Sequence, residues 1–286
     1  MLIIGGDITG KFIVPLIRQQ NGTWEAEFLG VRRRIRTEAD LDKLKTRIET
    51  AGQYPFETTP EEFESYSGDQ PRIDALFKNL VLDRVRDWVK IADDRLDGTG
   101  VRCLVSGAND DYFEVDDVLR GSSAIEMPEG QVLDLNGFQI ASVGYGNPTP
   151  WNCPRDIPED ELYAKIEHVA DQVTDMRRAI FNFHVPPYGT GLDDAPQLTG
   201  DLRVVAGGFG GARMVPVGST AVLKAINRYQ PLMSVHGHIH ESKGIRHLGA
   251  TCTLNPGSEY AEGILDAAII DLSPGGEITD VKLVSG

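Results

Sequence analysis

The sequence Val-His-Gly-His-Ile-His at residues 235–240 places a histidine at every second position, directly after an apolar run at residues 231–235. If that run is a strand, residues two apart point to the same face, and the three imidazoles could converge at its carboxyl end. Gly237 lacks a Cβ, so the backbone there can turn or approach a ligand closely. Neutral imidazole binds Zn, Fe, Mn or Ni. The segment therefore indicates a metal site, with a histidine-bearing surface loop as its alternative.

Other apolar runs along the chain also end in residues that can bind a metal. These residues are Asp7 after residues 1–4, Asn109 after residues 101–105, His184 after residues 179–183, and His238 and His240 after residues 231–235. In open α/β sheets, ligands bind beyond the carboxyl ends of the strands, where several loops meet. Carboxylate, amide and imidazole ligands together suit Mn, Fe, Zn or Ni more than Ca. Taken singly, each residue also has a structural interpretation, as a turn former or as a buried, hydrogen-bonded histidine.

The pattern of apolar residues along the whole chain predicts an α/β fold with mixed strand connections. Helical spacing and short apolar runs predict helices near residues 38–50, 72–94, 159–180 and 219–229, and further strands at residues 138–143, 251–254, 265–272 and 278–284. Residues 21–75 are polar and include a basic run at residues 32–36, most simply a solvated face. We expect a single domain of residues 1–286 with an irregular insertion or cap at about 21–75.

Composition excludes several classes of protein. Hydrophobic residues make up 41% of the chain, enough for a buried core, and the net charge is −15. Such acidity argues against a general nucleic-acid or membrane-surface binder, which would present a basic face. The three cysteines, Cys103, Cys153 and Cys252, are too far apart to indicate a disulfide framework or a Cys-x-x-Cys zinc site. With no signal peptide or membrane-spanning stretch, we expect a cytoplasmic protein, and its oligomeric state stays open.

Several motifs, taken in order, resemble those of the calcineurin-like metallophosphoesterases. They are Gly6-Asp7, the variant Gly-Ala-Asn-Asp-Asp at residues 107–111, His184, and Gly-His-Ile-His at residues 237–240. The strings at residues 5–11 and 238–242 resemble the Icc-related branch, and Asn255-Pro256-Gly257-Ser258 resembles the turn that often follows the last motif. The resemblance implies an α/β/β/α sandwich of two mixed sheets flanked by helices, with a dinuclear metal site between the sheets.

The resemblance also implies a role for each candidate residue. Asp7 would bridge two divalent metal ions, Asn109, His184 and His238 would bind one of them, and His240 the other. His236 would support the site from outside or be structural. The implied activity is hydrolysis of a small-molecule phosphoester, a monoester or a diester, by a water molecule that the metal ions activate.

Two departures from the family pattern bear on this expectation. The family's first motif, Asp-x-His, occurs nowhere in the chain, which leaves the second metal with only Asp7 and His240. Either the start is placed too late, omitting a strand and helix of roughly 30–40 residues, or the protein has lost half of its centre; we favour the former. The second departure is Asp110, which occupies the position of the family's leaving-group histidine. It is a candidate general acid, with a loop-ordering carboxylate as the alternative.

Two other functions are compatible with parts of the sequence. Gly5 to Lys11 has P-loop spacing, but Phe12 follows where that motif needs Ser or Thr to hold magnesium. A catalytically silent protein that binds one metal through Asp7, Asn109, His184 and His238 is the stronger alternative, because the Asp-x-His motif is absent.

Overall fold

Strands and helices alternate along the chain in this computed structural model, which describes residues 1–286 except for the side chain of Phe209. The strands are β1 (Leu2–Ile4), β2 (Ile13–Arg18), β3 (Trp24–Phe28), β4 (Val31–Ile35), β5 (Tyr54–Thr58), β6 (Cys103–Val105), β7 (Ile125–Glu126), β8 (Val132–Leu135), β9 (Phe138–Val143), β10 (Ala179–Phe183), β11 (Asp194–Pro196), β12 (Met214–Pro216), β13 (Met233–Val235), β14 (Gly244–Leu248), β15 (Thr251–Asn255), β16 (Asp266–Leu272) and β17 (Ile278–Ser285). The helices are α1 (Glu38–Thr50), α2 (Pro60–Ser65), α3 (Gln70–Leu96), α4 (Glu114–Arg120), α5 (Glu159–Ala170) and α6 (Thr220–Tyr229). Short 3₁₀ turns lie at Met176–Arg178, Gly208–Gly210 and Tyr260–Glu262.

A six-stranded sheet is central to the first of two compact units, which comprises Met1–Ile8, Val89–Ser258 and Leu265–Gly286. Its strand order is β14-β15-β13-β10-β9-β8, with the inner strands parallel and the two edge strands antiparallel to their neighbours. Helices α5 and α6 cover one face through apolar residues at helical spacing, which pack on Phe181 and Phe183.

The predicted helix at residues 159–180 is wrong in its second half, because α5 ends at Ala170. Val173 and Met176 nevertheless pack against the same core as the helix does. Their apolar spacing therefore reflects burial in a turn and a 3₁₀ segment, and it extended the helical pattern beyond the true end.

A smaller parallel sheet, in the order β1-β6-β7, covers the other face of the six-stranded sheet. Leu104 and Ile3 of the small sheet share a core with Ile140, Ile180 and Met233 of the large one. The antiparallel pair β16–β17 adds to this core, and α4 lies against β7. The predicted α/β sandwich flanked by helices is confirmed, although only the larger of the two sheets is mixed.

The second compact unit comprises Thr9–Trp88 and Glu259–Ile264 and has its own sheet, in the order β4-β3-β2-β5. Strand β3 alternates buried and exposed residues, and its inner face packs on buried Leu41, Leu44 and Ile48 of α1. The expectation that residues 21–75 are irregular is wrong, because they form three strands and two helices. Charged residues alternate with buried apolar ones in β3, so the mean hydropathy of the segment is low although one face of the strand is apolar. The prediction of one domain with an inserted cap stays a prediction.

None of the described helices combines the length and the apolar character needed to cross a bilayer.

Candidate metal centre

Four loops of the first unit carry the candidate ligands, and each loop follows the carboxyl end of a strand. Asp7 follows β1, Asn109 follows β6, His184 follows β10 and His238 follows β13. Because β1 is parallel to β6, and β10 to β13, each pair of strands opens at the same edge. The chain after Gly10 runs into β2 and not into a helix, so the helix that a P-loop requires is missing there.

Asp7, His184 and His238 form a compact group of potential ligands. One ligand atom from each lies within 4.8 Å of the others. Asp7 Oδ2 is 3.1 Å from His184 Nε2 and 4.0 Å from His238 Nδ1, and the two imidazole rings are 5.2 Å apart. The exposed fractions of the three side chains are 14%, 2% and 12%, so a cation between them would be largely shielded from water. This group fits a divalent metal ion.

The hydrogen bonding of His184 leaves its Nε2 free to bind a cation. Its Nδ1 lies 3.1 Å from the carbonyl oxygen of Gly5, which can only accept, so we assign the ring proton to Nδ1. Nε2 is buried and lies 3.1 Å from Asp7 Oδ2. Burial opposes the charged form of His184, yet the Asp7 carboxylate outweighs burial and raises its pKa. A cation, either a proton or a metal ion, therefore belongs between the two side chains.

His238 is neutral and held in an uncommon backbone conformation. Burial, followed by the neighbouring His184, lowers the pKa of His238 to about 4, so it can bind a metal near pH 7 without releasing a proton. Its φ of 63° lies in the left-handed region. Gly237, which precedes it, has no positive φ, and a Cβ there would make only ordinary contact with His184 at 3.8 Å.

Asn109 also presents a polar atom without a partner. Its Nδ2 donates to Asp156 Oδ1 at 2.9 Å, and its buried Oδ1 has no hydrogen-bond partner. The other carboxylate oxygen of Asp156 accepts from Thr149 and from the backbone of Cys153, which fixes the acceptor. Asp156 thus orients the Asn109 carbonyl oxygen as a potential ligand. The sequence analysis did not single out Asp156, which lies 47 residues from Asn109.

Asp110 and Asp111 hold the first two loops in register. The Asp110 backbone N–H donates to Asp7 Oδ1 at 3.5 Å, and the Asp110 side chain is partly exposed. Asp111 is fully buried, and its Oδ2 accepts from the N–H groups of Ala108, at 2.7 Å, and Ile8, at 3.2 Å. Asp111 is therefore a structural link between the β1 and β6 loops, a function that the sequence analysis missed.

The histidines of residues 235–240 do not form a three-histidine group, because the strand ends at Val235. His236 is buried, and both of its ring nitrogens have hydrogen-bond partners: the Phe183 carbonyl for Nδ1, and the Ser234 and Thr253 hydroxyls for Nε2. It is a structural residue. His240 is partly buried and lies outside the group of Asp7, His184 and His238.

A side chain from the predicted turn after the last motif supports the His238–His240 loop. Asn255 Nδ2 donates to the carbonyl of Ile239, and its Oδ1 accepts from the Gly257 N–H. The Ser258 N–H donates to the carbonyl of His240 at 3.1 Å. The Asn-Pro-Gly-Ser turn therefore fixes the backbone on which His238 and His240 lie.

Comparisons with known proteins support the fold but do not place the chain in a family. No protein-family model matches it. The alignment with one solved structure covers 95% of this chain and 97% of the other chain, with a TM-score of 0.51 and 15% sequence identity. This likeness shows a shared fold alone. The alignment with TT1561 of Thermus thermophilus covers 72% of this chain and 79% of TT1561, with a TM-score of 0.43 and 16% sequence identity. The alignment with an archaeal phosphodiesterase covers 71% of this chain and 92% of the phosphodiesterase chain, with a TM-score of 0.27 and 16% sequence identity. The two lower scores carry no conclusion.

A curated relative is similar over part of the sequence. It is the uncharacterised protein MJ1162 of Methanocaldococcus jannaschii, 29% identical over 128 residues, which cover 44% of this chain and 51% of that protein. The matching part of the chain spans about half the length of this relative.

Proposed function

We propose that this chain is a metal-dependent phosphoester hydrolase whose metal is held by Asp7, Asn109, His184 and His238. The observation that carries the proposal is the buried approach of Asp7 Oδ2 to His184 Nε2, at 3.1 Å, with His238 Nδ1 4.0 Å from the same oxygen. The unpartnered Oδ1 of Asn109 and the neutral imidazole of His238 support it. Mixed nitrogen and oxygen ligands of this kind favour Mn, Fe, Zn or Ni.

When bound, such a metal supplies Lewis acidity and lowers the pKa of water toward neutrality. The residues of the chain prepare the site for it. The Gly5 carbonyl fixes the His184 tautomer, Asp156 orients Asn109, and the Asp110 N–H holds one oxygen of Asp7. With both Asp7 oxygens directed in this way, the carboxylate needs little rearrangement to bind a metal.

We further propose His240 as a ligand of a second, weaker metal site. It shares the tightly held His238–His240 loop but lies outside the group formed by Asp7, His184 and His238. This second site would have two protein ligands, Asp7 and His240, which are too few for tight binding. We therefore expect one tightly bound metal in this chain.

Asp110 is proposed as the group that protonates the leaving oxygen. It is adjacent to Asn109 and partly exposed, and we expect a substrate at the metal to lie next to it. Replacing Asp110 with Asn should reduce turnover of phenyl phosphate by about 100-fold, the scale of general-acid catalysis. Turnover of 4-nitrophenyl phosphate, whose leaving group needs little protonation, should change much less. Equal losses on both esters would assign Asp110 to ordering the loop.

A single-metal binding protein without turnover is the second candidate. The specific observation in its favour is that, among the described residues, the group of Asp7, His184 and His238 does not extend to His240. Both candidates share the same first metal, so metal content alone does not separate them.

The deciding experiment combines metal analysis with hydrolysis of bis(4-nitrophenyl) phosphate. We expect the chain loaded with Mn to retain metal through gel filtration and to hydrolyse the diester. Asp7→Asn and His184→Ala should lose both properties. His247→Ala, a matched variant of an exposed histidine on β14, should keep both.

Bound metal without turnover of this diester or of 4-nitrophenyl phosphate, even with excess Mn, would favour the silent protein. Failure of the wild type to retain any of Mn, Fe, Zn or Ni would overturn both candidates.

A further inference from the structure

A basic cavity lies in the second unit, on elements that do not contribute to the metal centre. It has a volume of about 380 Å³ and is lined by Arg33, Arg34 and Ile35 of β4 and by Asp40, Lys43, Leu44 and Arg47 of α1. Four of these side chains are cationic and one is a carboxylate, in a chain whose net charge is −15. We propose that this cavity binds a small anion that carries two or more phosphate groups.

Helix geometry explains why the α1 side chains face one space. Asp40, Lys43, Leu44 and Arg47 are spaced i, i+3, i+4 and i+7, which places them on one face of the helix. Leu44 and Ile35 are buried in the core of this unit and form an apolar floor. Lys43 lies 3.9 Å from Asp40, a weak exposed pair that leaves the lysine able to meet another anion.

The Arg33 side chain is the observation that points to a ligand. Strand β4 pairs Arg33 with buried Ala26 and Ile35 with buried Trp24, so Arg33 lies on the inner face that α1 covers. Its Nε is buried and has no hydrogen-bond partner. A buried donor on a cation destabilises the fold when it is left unpaired. An anion in the cavity would satisfy this donor and offset the repulsion between the neighbouring cations.

Protection of a sheet edge explains only part of this basic run. β4 is an edge strand, and charged side chains on such strands prevent pairing with other chains. Exposed Arg32 serves that purpose and is already paired with Glu27 across the sheet. Arg33 faces inward, so edge protection does not account for it.

The chemistry of the cavity favours phosphate. Guanidinium groups bind phosphate oxygens through paired N–H donors, and lysine adds a compact charge. Four cations against one carboxylate match an anion of several charges better than a single carboxylate. The overall negative charge of the chain disfavours a long nucleic acid, so tripolyphosphate and ATP are suitable probes.

The test is calorimetric titration of the full-length protein with tripolyphosphate and with ATP. We expect binding that weakens at least tenfold in Arg33→Gln and in Arg47→Gln, which alter the β4 and the α1 contributions to the cavity. Arg36→Gln, which removes an exposed cation next to the cavity residues in sequence, should bind within about twofold of wild type. Asp7→Asn should also retain cavity binding, which separates this result from the fate of the metal centre.

Circular dichroism and Tm would verify that each variant is folded. If Arg33→Gln does not fold, the exposed Arg47 carries the test alone. Absence of binding to wild type, or equal affinity in the cavity variants and Arg36→Gln, would overturn the proposal. If a short single-stranded oligonucleotide bound more tightly than tripolyphosphate, the ligand would be a nucleic acid, and the proposal of a small anion would be wrong. Preference for ATP over tripolyphosphate would identify the phosphate source as a nucleotide.

Discussion

At the scale of single residues, two members of the candidate centre have left-handed backbone conformations. Asp7 has a φ of 50° and His238 a φ of 63°. Such conformations are uncommon for residues other than glycine, although Asp and His tolerate them better than most. They persist when surrounding structure holds them, and here Asp111 and Asn255 hold the neighbouring backbone. The side chains are thus positioned before any metal binds.

The hydrogen bond from Asn109 to Asp156 gives a prediction about metal affinity. Asp156→Asn would replace an obligatory acceptor with a group that can also donate, so Asn109 could turn its Nδ2 toward the centre. We expect metal binding to weaken by about 10–100-fold, as is usual when the partner of a ligand is lost. Calorimetric titration with Mn would measure the change.

The matched control is Asp160→Asn, which removes the same charge from an exposed position on α5. Its metal affinity should equal that of wild type. Equal affinities for Asp156→Asn and wild type would show that Asn109 does not depend on this contact.

The sequence predicted which residues follow the strands, but it could not predict which way their side chains point. His236 and His238 are separated by one residue, yet one is saturated by internal hydrogen bonds and the other joins the metal group. This difference depends on the end of β13 at Val235 and on partners as distant in sequence as Phe183. Alternation within a strand could not have revealed it.

At the scale of elements, a buried arginine holds the β6 loop against α4. Arg155 has an exposed fraction of 1%, and its guanidinium donates to both oxygens of Asp116 and to the carbonyls of Asp111 and Tyr112. Its backbone N–H donates to the carbonyl of Asn109 at 2.8 Å. The loop that bears Asn109 is therefore positioned by one residue from a distant segment.

Replacing Arg155 with Met tests this connection. It would leave the largely buried Asp116 carboxylate without its partner, so we expect the free energy of unfolding to fall by about 3–5 kcal/mol. Urea unfolding would measure it. The double variant with Asp116→Asn should recover part of the loss, because it removes the unpaired charge.

An exposed ion pair within α4, the helix that contains Asp116, provides the comparison. Arg120 and Asp117 are 2.7 Å apart, with exposed fractions of 55% and 78%. Arg120→Met should therefore change stability by only ~0–1 kcal/mol. A similar loss in both arginine variants would mean that Arg155 holds the loop no more firmly than a surface residue.

Helical periodicity predicted which segments form helices, although it placed the end of α5 too late, and the weakly apolar strands of the second unit were missed. The expected helices at residues 38–50 and 219–229 correspond to α1 and α6. Strands β3 and β4 escaped notice because each inner residue alternates with a charged one, as in Trp-Glu-Ala-Glu-Phe at β3. Their burial depends on α1 as a cover, which pattern reasoning over short windows does not include.

At the scale of the whole molecule, the partly buried carboxyl of Glu129 links stability to pH. Burial raises the pKa of Glu129 to about 7, although the Gly144 N–H, 2.6 Å from Oε2, favours the carboxylate. The ordinary value is 4.5, so the folded state holds a proton that the unfolded state has lost between about pH 4.5 and 7. The stability contribution of Glu129 is therefore fully present below pH 4.5 and is lost as the pH rises through 7.

Glu129→Gln should remove this dependence. We expect the Tm of the variant minus that of wild type to be more positive at pH 8 than at pH 5, by roughly 2–4 °C for each 1 kcal/mol involved. Glu161→Gln, at an exposed position on α5, should give the same difference at both pH values. Calorimetric scans at the two pH values would measure these Tm differences. If the difference between Glu129→Gln and wild type were the same at pH 5 and pH 8, Glu129 would not be the source of the pH dependence.

The pairing of β1 with β6 has a consequence for how the protein is made. Leu2 pairs with Cys103, and the segment between them contains nearly all of the second unit. As the ribosome releases the chain, β1 must wait for β6 before it can join a sheet, and such distant pairings form slowly. Asp7 then waits for His184 and His238, which emerge much later. A nascent chain that stops before β13 lacks part of the candidate centre, so we expect the proposed metal to bind only after β13 has emerged.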